Sequence, residues 1–147
     1  MDISAFPRVL QDAALKRGAV FRMKMTRQDG IAPKHGNDKL KRFVVLSLDS
    51  GRIVAASLII NSDINRNLYN LIAPYQHEIH EREYAFLEHD SYIDGFTLHE
   101  FNTQRILSEA EFIGTINEDD IRESVDRLIE TGKVKPVTLK RFGLKHS

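Results

Sequence analysis

Two apolar runs separated by a short polar turn constrain the fold of this chain more than any other feature. The runs occupy residues 42–48 and 52–60, and an Asp-Ser-Gly turn at 49–51 separates them. Runs of this length, rich in Val and Ile and bounded by a Gly-containing turn, are typical of two antiparallel strands joined as a hairpin. The chain is therefore predicted to contain an antiparallel sheet built around this hairpin.

Polar side chains mark the two ends of the hairpin that would lie side by side. Arg42 opens the first strand, and Asn61 and Ser62 follow the apolar run of the second. If these three side chains converge at one sheet edge, they could bind phosphate, because an arginine fork matches phosphate oxygens. The alternative is that Arg42 is a solvated strand end and that Asn61 and Ser62 form an ordinary turn.

Further short strands are predicted on both sides of the hairpin. Alternating apolar and polar residues predict a half-buried strand over 18–25. Less regular patterns predict strands at 67–73, 84–86, 91–94, 96–101 and 111–116. The polar stretch 75–83 is interpreted as a loop. Many short strands with polar turns indicate a mostly β protein with helices (α+β), built as a small barrel or a strongly bent sheet.

Two helices are predicted, one at each side of the strands. The first is capped by Ser4, runs to about Lys16 and ends at Gly18. The second covers 118–131, with Asn117 as its N-cap and acids in the first turn, where the helix dipole favours them. Its core-facing stripe consists of Ile121, Val125, Leu128 and Ile129, and Gly132 ends it.

The composition limits the class of protein. A chain of 147 residues with 41% hydrophobic and 29% charged residues suits one globular domain. The absence of Cys excludes disulfides, thiolate metal sites and Cys nucleophiles. No apolar run approaches the roughly 18 residues of a membrane helix, and residues 1–17 lack the apolar core of a signal peptide. A cytoplasmic protein without membrane contact is therefore expected.

The zero net charge hides an uneven distribution along the chain. Residues 1–66 contain twelve Lys and Arg against six Asp and Glu, whereas residues 67–132 contain four against fifteen. The long polar loop 26–41 carries the densest basic cluster of the first half, and loops of this length are often functional. Either the folded protein presents a basic face to an anion, or its charges interleave.

Four stretches, in order along the chain, carry a resemblance to a known family. They are Gly18-Ala19-Val20-Phe21, Lys41-Arg42-Phe43-Val44-Val45-Leu46-Ser47, Ile59-Ile60-Asn61-Ser62, and Ser91-Tyr92-Ile93-Asp94 with the elements that follow it. In their order and spacing the chain resembles the MazF/PemK-like toxins, a group of CcdB/MazF-type growth inhibitors. The resemblance covers 18–132 and implies a single domain built on a small SH3-like barrel with a C-terminal helix. An N-terminal helix at 1–17 and a basic tail at 133–147 are additions to it.

The resemblance also implies a function. Members are commonly metal-independent endoribonucleases of type II toxin–antitoxin systems, in which a ribose 2′-OH attacks the adjacent phosphate of single-stranded RNA. Arg42 would stabilise the phosphorane, and Asn61 and Ser62 would orient the phosphate. A homodimer and a cognate antitoxin partner are implied, with no cofactor and no metal. RNA contacts are expected from Lys34, His35, Lys39, Lys41, Tyr69 and Tyr92, although tyrosines in strands also commonly pack the sheet.

Two departures from the family pattern keep other functions open. Phe43 stands where the family has Pro, and Asn61 stands where it has Thr. A catalytically inactive barrel that binds nucleic acid or protein is the main alternative, because a fold can outlast its site. A protein that interacts through its first helix and basic tail is a third possibility.

The other polar residues of the sequence indicate no second site. His77 and His80 are three residues apart, not four as in a zinc-binding helix, so no metal site is predicted. Arg105 is expected to anchor a turn by a salt bridge. Asp90, Asp94 and Glu100 are interpreted as surface charge.

Overall fold

One curled antiparallel sheet organises the part of the chain that the computed structural model describes, which is residues 11, 13–33 and 36–146. Its seven strands are β1 (Ala19–Met25), β2 (Lys39–Leu48), β3 (Val54–Asn61), β4 (Gln76–Ile79), β5 (Ser91–Asp94), β6 (His99–Asn102) and β7 (Glu111–Thr115). Their order is β4-β5-β3-β2-β1-β7, and β6 pairs with the first half of β3 beside β5. The sheet therefore bends around β3, which has two different neighbours on one side.

Four α-helices accompany the sheet within these residues. They are α1 (Tyr69–Ile72), α2 (Thr103–Glu109), α3 (Glu118–Glu130) and α4 (Pro136–Phe142). Single 3-10 turns lie at Arg27–Asp29, Arg66–Leu68 and Ala73–Tyr75. The architecture is thus α+β, as predicted, and no helix in the described residues is long and apolar enough to cross a membrane.

The central hairpin forms as predicted. Strands β2 and β3 pair antiparallel, with Val44 opposite Leu58. The Asp49 carboxylate closes the turn by accepting hydrogen bonds from the N–H groups of Ile53 and Val54, at 2.8 and 3.2 Å. An Asp side chain that bonds the backbone a few residues on is a common way to hold such a turn.

The sheet buries side chains on both faces, so two cores share one set of strands. On the α3 face, alternate strand residues such as Val44 and Leu58 pack with the Ile121–Leu128 stripe of α3. On the α2 face, Phe43 and Val45 pack with Ile106 and Leu107 of α2 and with Leu15. Two-sided burial explains why β2 and β3 read as continuous apolar runs instead of alternating ones.

The helix α3 agrees with its prediction. Its N-cap is Asn117, whose Oδ1 accepts a hydrogen bond from the Asp120 N–H at 2.9 Å. Ile121, Val125 and Leu128 are buried, and Gly132 follows the helix with a φ of 69°. Of the predicted N-terminal helix, only Gln11, Ala13 and Ala14 are seen to be helical, and residues 1–10 and 12 lie outside the described residues.

Two predictions for the middle of the chain are wrong. Residues 67–73 are helical turns and not a strand, because Asn65 caps the first turn and the apolar side chains recur at helical spacing. The stretch 75–83 contains β4, which pairs with β5 and buries Gln76 and Ile79. The polar residues between these two positions interrupt the apolar pattern from which a strand is predicted.

Three further predictions also need correction. Residues 84–86 form a turn instead of a strand. The predicted strand 96–101 begins only at His99, and α2 follows it where a turn was expected. The basic tail contains α4, whose Phe142 is buried in the core together with Leu144. The many charged residues of the tail left no helical apolar pattern in the sequence from which this short helix could be predicted.

Candidate functional site

The alternation of side chains along the hairpin separates Arg42 from Asn61. Arg42 lies opposite Ile60 across the β2–β3 pair, so these two side chains share the α3 face. Lys41, one residue earlier, points to the α2 face and donates a hydrogen bond from Nζ to Asn61 Oδ1. Arg42 and Asn61 therefore point to opposite faces of the sheet, contrary to the prediction that they converge.

Four polar side chains from four strands lie on the α2 face, beside the aromatic core. We call them the lysine cluster, which consists of Lys41 (β2), Asn61 (β3), Asp94 (β5) and His99 (β6). All four are partly exposed. Asp94 Oδ1 accepts hydrogen bonds at 2.8 Å from Gln76 Nε2 and from the Phe96 N–H, which fix the carboxylate near the lysine.

The ammonium of Lys41 occupies an unfavourable position for a charge. Burial lowers its pKa to about 8, and the positive charges of Lys39 and Arg42 act in the same direction. Asp94 opposes this shift only in part. Lys41 is therefore mostly charged at pH 7 yet able to lose its proton near neutral pH, as acid–base groups of enzymes must.

The imidazole of His99 is the second perturbed group of the lysine cluster. Burial lowers its pKa below the ordinary 6.5, although the charges of Asp94 and Asp29 and the backbone of Asp29 favour the protonated form. Its ring stacks on Phe101 with 5.9 Å between ring centroids. His99 is thus held as a neutral imidazole at pH 7, close enough to Lys41 for that charge to lower its pKa further.

The loop after β1 lies against this histidine. Gly30 has a φ of 84°, and a Cβ built on it would be 3.6 Å from His99 Cε1. Arg105 of α2 holds the loop with two hydrogen bonds to the Asp29 carboxylate, at 2.7 and 2.9 Å. The salt bridge expected for Arg105 is confirmed, although it anchors this loop from a helix.

Two of the expected RNA-binding residues of this loop, Lys34 and His35, lie outside the described residues. Lys39 begins β2 as an exposed side chain. Tyr92 lies opposite Asn61 across the β3–β5 pair, next to the lysine cluster, and burial raises the pKa of its hydroxyl. Tyr69 is 53% exposed in α1.

Ser62 lies in an acidic environment. It is exposed, and it lines a shallow depression together with Asp63, Glu81, His89 and Asp90. Carboxylates repel phosphate, so this position does not favour the phosphate-orienting role expected for Ser62.

Arg42 lines a cleft of about 560 Å³ on the α3 face. Arg22 lies directly opposite it on β1 and donates a hydrogen bond to Glu111 Oε1 at 3.1 Å. Burial lowers the pKa of the Arg42 guanidinium, and the negative charge of Glu88 opposes this shift. Among the described residues, no hydrogen bond or ion pair within 4 Å engages the Arg42 side chain.

Sequence reasoning missed the roles of His99 and Asp94, the second of which was interpreted as surface charge. Both side chains take part in the lysine cluster only because β5 and β6 lie side by side along β3. The alternation of His99 with the buried Phe101 was the available signal that the histidine faces the α2 side.

No family model matches this chain, and no curated protein does either. Metal binding also finds no support in the described residues, where no group of three His, Cys, Asp or Glu side chains is placed to hold an ion. His77, considered above as a ligand, instead contacts Asp120 Oδ1 at 2.7 Å.

Proposed function

We propose that this protein is an endoribonuclease that cleaves single-stranded RNA at the lysine cluster by attack of a ribose 2′-OH. One observation carries the proposal: a lysine with a pKa of about 8, hydrogen-bonded to a side-chain amide, shares one partly exposed face of the sheet with an imidazole whose pKa is lowered by burial. These are the proton donor, proton acceptor and phosphate-orienting groups that the reaction requires.

The proposed step uses each side chain in the protonation state that its surroundings favour. His99 accepts the proton of the 2′-OH, and the 2′-oxygen attacks the adjacent phosphorus. Lys41 donates hydrogen bonds to the phosphorane and gives a proton to the departing 5′-oxygen as the P–O5′ bond breaks. The products are a 2′,3′-cyclic phosphate and a 5′-OH end. Asn61 positions Lys41 and offers its amide N–H to the phosphate.

The ordered resemblance to MazF/PemK-like toxins supports the wider biological part of the proposal. In that reading the curled sheet is an SH3-like barrel, and the protein is a cytoplasmic, homodimeric toxin of a type II toxin–antitoxin system. The basic loop 26–41 holds the RNA backbone, and a cognate antitoxin covers the site. The loop's position against His99 is consistent with the first of these roles.

The test combines RNA cleavage with bacterial growth on induction of the protein. Wild type is expected to arrest growth and to leave fragments with 5′-OH ends. Lys41→Met and His99→Gln should each reduce cleavage by about 100-fold or more. Lys24→Met, an exposed lysine of β1, is the control and should cleave normally. Arg42→Ala should reduce cleavage less than Lys41→Met does.

Two results would contradict the proposal in different ways. Intact RNA after incubation with folded, partner-free wild type would remove the enzymatic function. Loss of cleavage in Arg42→Ala but not in Lys41→Met would keep the enzyme and move its chemistry to the α3 face.

The second candidate is a barrel that binds nucleic acid or protein without cleaving it. The separation of Arg42 from Asn61 on opposite faces favours it, because the site residues implied by the family resemblance do not converge. RNA binding that survives in Lys41→Met, with no cleavage by wild type, would identify this function.

A further inference from the structure

The cleft on the α3 face is lined by three kinds of group: guanidiniums, apolar side chains and carboxylates. It lies between strands β1, β2 and β7 and the turn segment after β4. Its lining includes Arg22, Leu40, Arg42, Phe86, Glu88 and Glu111. The volume of about 560 Å³ is within the range of small-molecule sites.

The two guanidiniums are the anion-binding part of the cleft. Arg22 and Arg42 face each other across an antiparallel pair, so their Cα atoms are about 5 Å apart and both side chains share one face. Arg42 is half-buried, and none of its N–H donors is used by another described residue. The N–H donors of Arg42 are not buried, so they are open to a ligand that enters the cleft. A phosphate matches both forks at once.

The other residues of the cleft fit the remainder of a nucleotide. The ring of Phe86 packs on β7 at Gly114, where a Cβ would come within 2.5 Å of it, and with Leu40 it forms an apolar wall for a planar base. The carboxylates of Glu88 and Glu111 can accept hydrogen bonds from ribose hydroxyls. Each carboxylate also lies close to one arginine and offsets its charge.

We propose that the cleft binds a nucleotide, with its phosphate on Arg22 and Arg42, its base on Phe86 and its ribose toward Glu88 and Glu111. The site lies on the opposite face from the lysine cluster and does not depend on the endoribonuclease proposal. The same chemistry is present in a free nucleoside monophosphate and at the 5′-phosphorylated end of an RNA strand.

Calorimetric titration of the full chain with AMP tests the site, with adenosine and inorganic phosphate as the two halves of the ligand. AMP should bind at least about tenfold more tightly than either half. Arg42→Gln and Arg42→Lys should each weaken AMP binding about tenfold or more, the second because the fork is lost while the charge stays. Lys24→Gln, the next residue outward on the same face of β1, is the matched control and should bind normally.

Glu111→Gln gives a test with a defined direction, because it removes the carboxylate that competes with phosphate for Arg22. It should tighten AMP binding several-fold, whereas a purely structural role of the pair predicts no gain. A 5′-phosphorylated oligonucleotide that binds more tightly than AMP identifies an RNA end as the source of the ligand, and the reverse order identifies a free nucleotide.

The proposal is overturned if wild type shows no AMP binding at millimolar concentration, or if Arg42→Gln and Arg42→Lys, folded by circular dichroism, bind AMP like wild type. Lys41→Met should retain AMP binding, so that a failure of the endoribonuclease proposal and a failure of this one are distinguished.

Discussion

At the scale of single residues, Lys41 of the lysine cluster occupies a position that destabilises its charge and brings its pKa close to neutral pH. Lys41 is held where burial and two neighbouring cations destabilise its charge, and the charge of Asp94 opposes them only in part. A hydrophobic residue there would avoid that cost. Groups kept in such positions are typical of functional sites, where the pKa matters more than stability.

The pH dependence of RNA cleavage should report Lys41. The rate constant kcat/KM should fall above pH 8, because the ammonium then loses the proton that it gives to the leaving oxygen. In Lys41→Arg any remaining activity should lack this fall, since a guanidinium does not deprotonate in that range. Lys39→Arg, on the same strand and exposed, should keep it. A wild-type profile that is flat from pH 7 to 10 would contradict the role of Lys41.

At the scale of elements, the loop between β1 and β2 is fixed from outside the hairpin. Arg105 reaches it from α2, and its hydrogen bonds are the main cause of the lowered pKa of Asp29. A lowered carboxyl pKa means that this pair stabilises the fold fully above pH 3.8 and loses its effect as the pH falls through the lower value. The position of the loop near His99 thus depends on the paired hydrogen bonds between the Arg105 guanidinium and the Asp29 carboxylate.

Replacing Arg105 should therefore loosen the loop while the sheet stays intact. Arg105→Lys keeps the charge but cannot make both hydrogen bonds, so amide hydrogen exchange at 27–31 should become faster. Arg122→Lys, which alters an exposed pair with Asp119 on α3, is the control and should leave this exchange unchanged. Equal protection of the loop in both variants would show that other contacts hold it.

At the scale of the whole molecule, the C-terminal segment completes the core on the α3 face. Phe142 and Leu144 are buried among strand and α3 residues, and the Phe142 carbonyl accepts a hydrogen bond from Ser47 Oγ at 2.7 Å. Arg141 of the same helix donates to Glu100 on β6 at 2.8 Å. The segment expected to be a basic tail is therefore part of the folded body.

Phe142→Ala should destabilise the protein by about 3–5 kcal/mol, because it removes a buried aromatic ring and leaves a cavity. Val137→Ala on the same helix should change stability by about 0.5 kcal/mol or less, since Val137 is 70% exposed. Denaturant unfolding monitored by circular dichroism measures both. Equal midpoints for the two variants would mean that α4 is dispensable to the core.

Local patterns predicted the parts of this fold that have local causes. The hairpin follows from two apolar runs and a turn, and α3 follows from its cap and stripe. The stretch containing β4 and the tail containing α4 were not predicted because each buries only two side chains, and tertiary partners decide their conformation. The candidate site was not predicted for a related reason: Asp94 and His99 come onto the same face as Lys41 through strand pairing, which composition does not reveal.

The neighbouring positions Lys41 and Arg42 give the start of β2 an unusual sensitivity to length changes. A residue inserted or deleted in the loop before Lys39 leaves both side chains on their present faces, so that loop is free to vary in length. The same change between Arg42 and Phe43, the first buried residue of β2, would exchange the two, turning the amine toward Phe86 and the guanidinium toward Asp94. Homologues of this chain should therefore differ in length before the strand and hardly ever between Lys41 and Phe43.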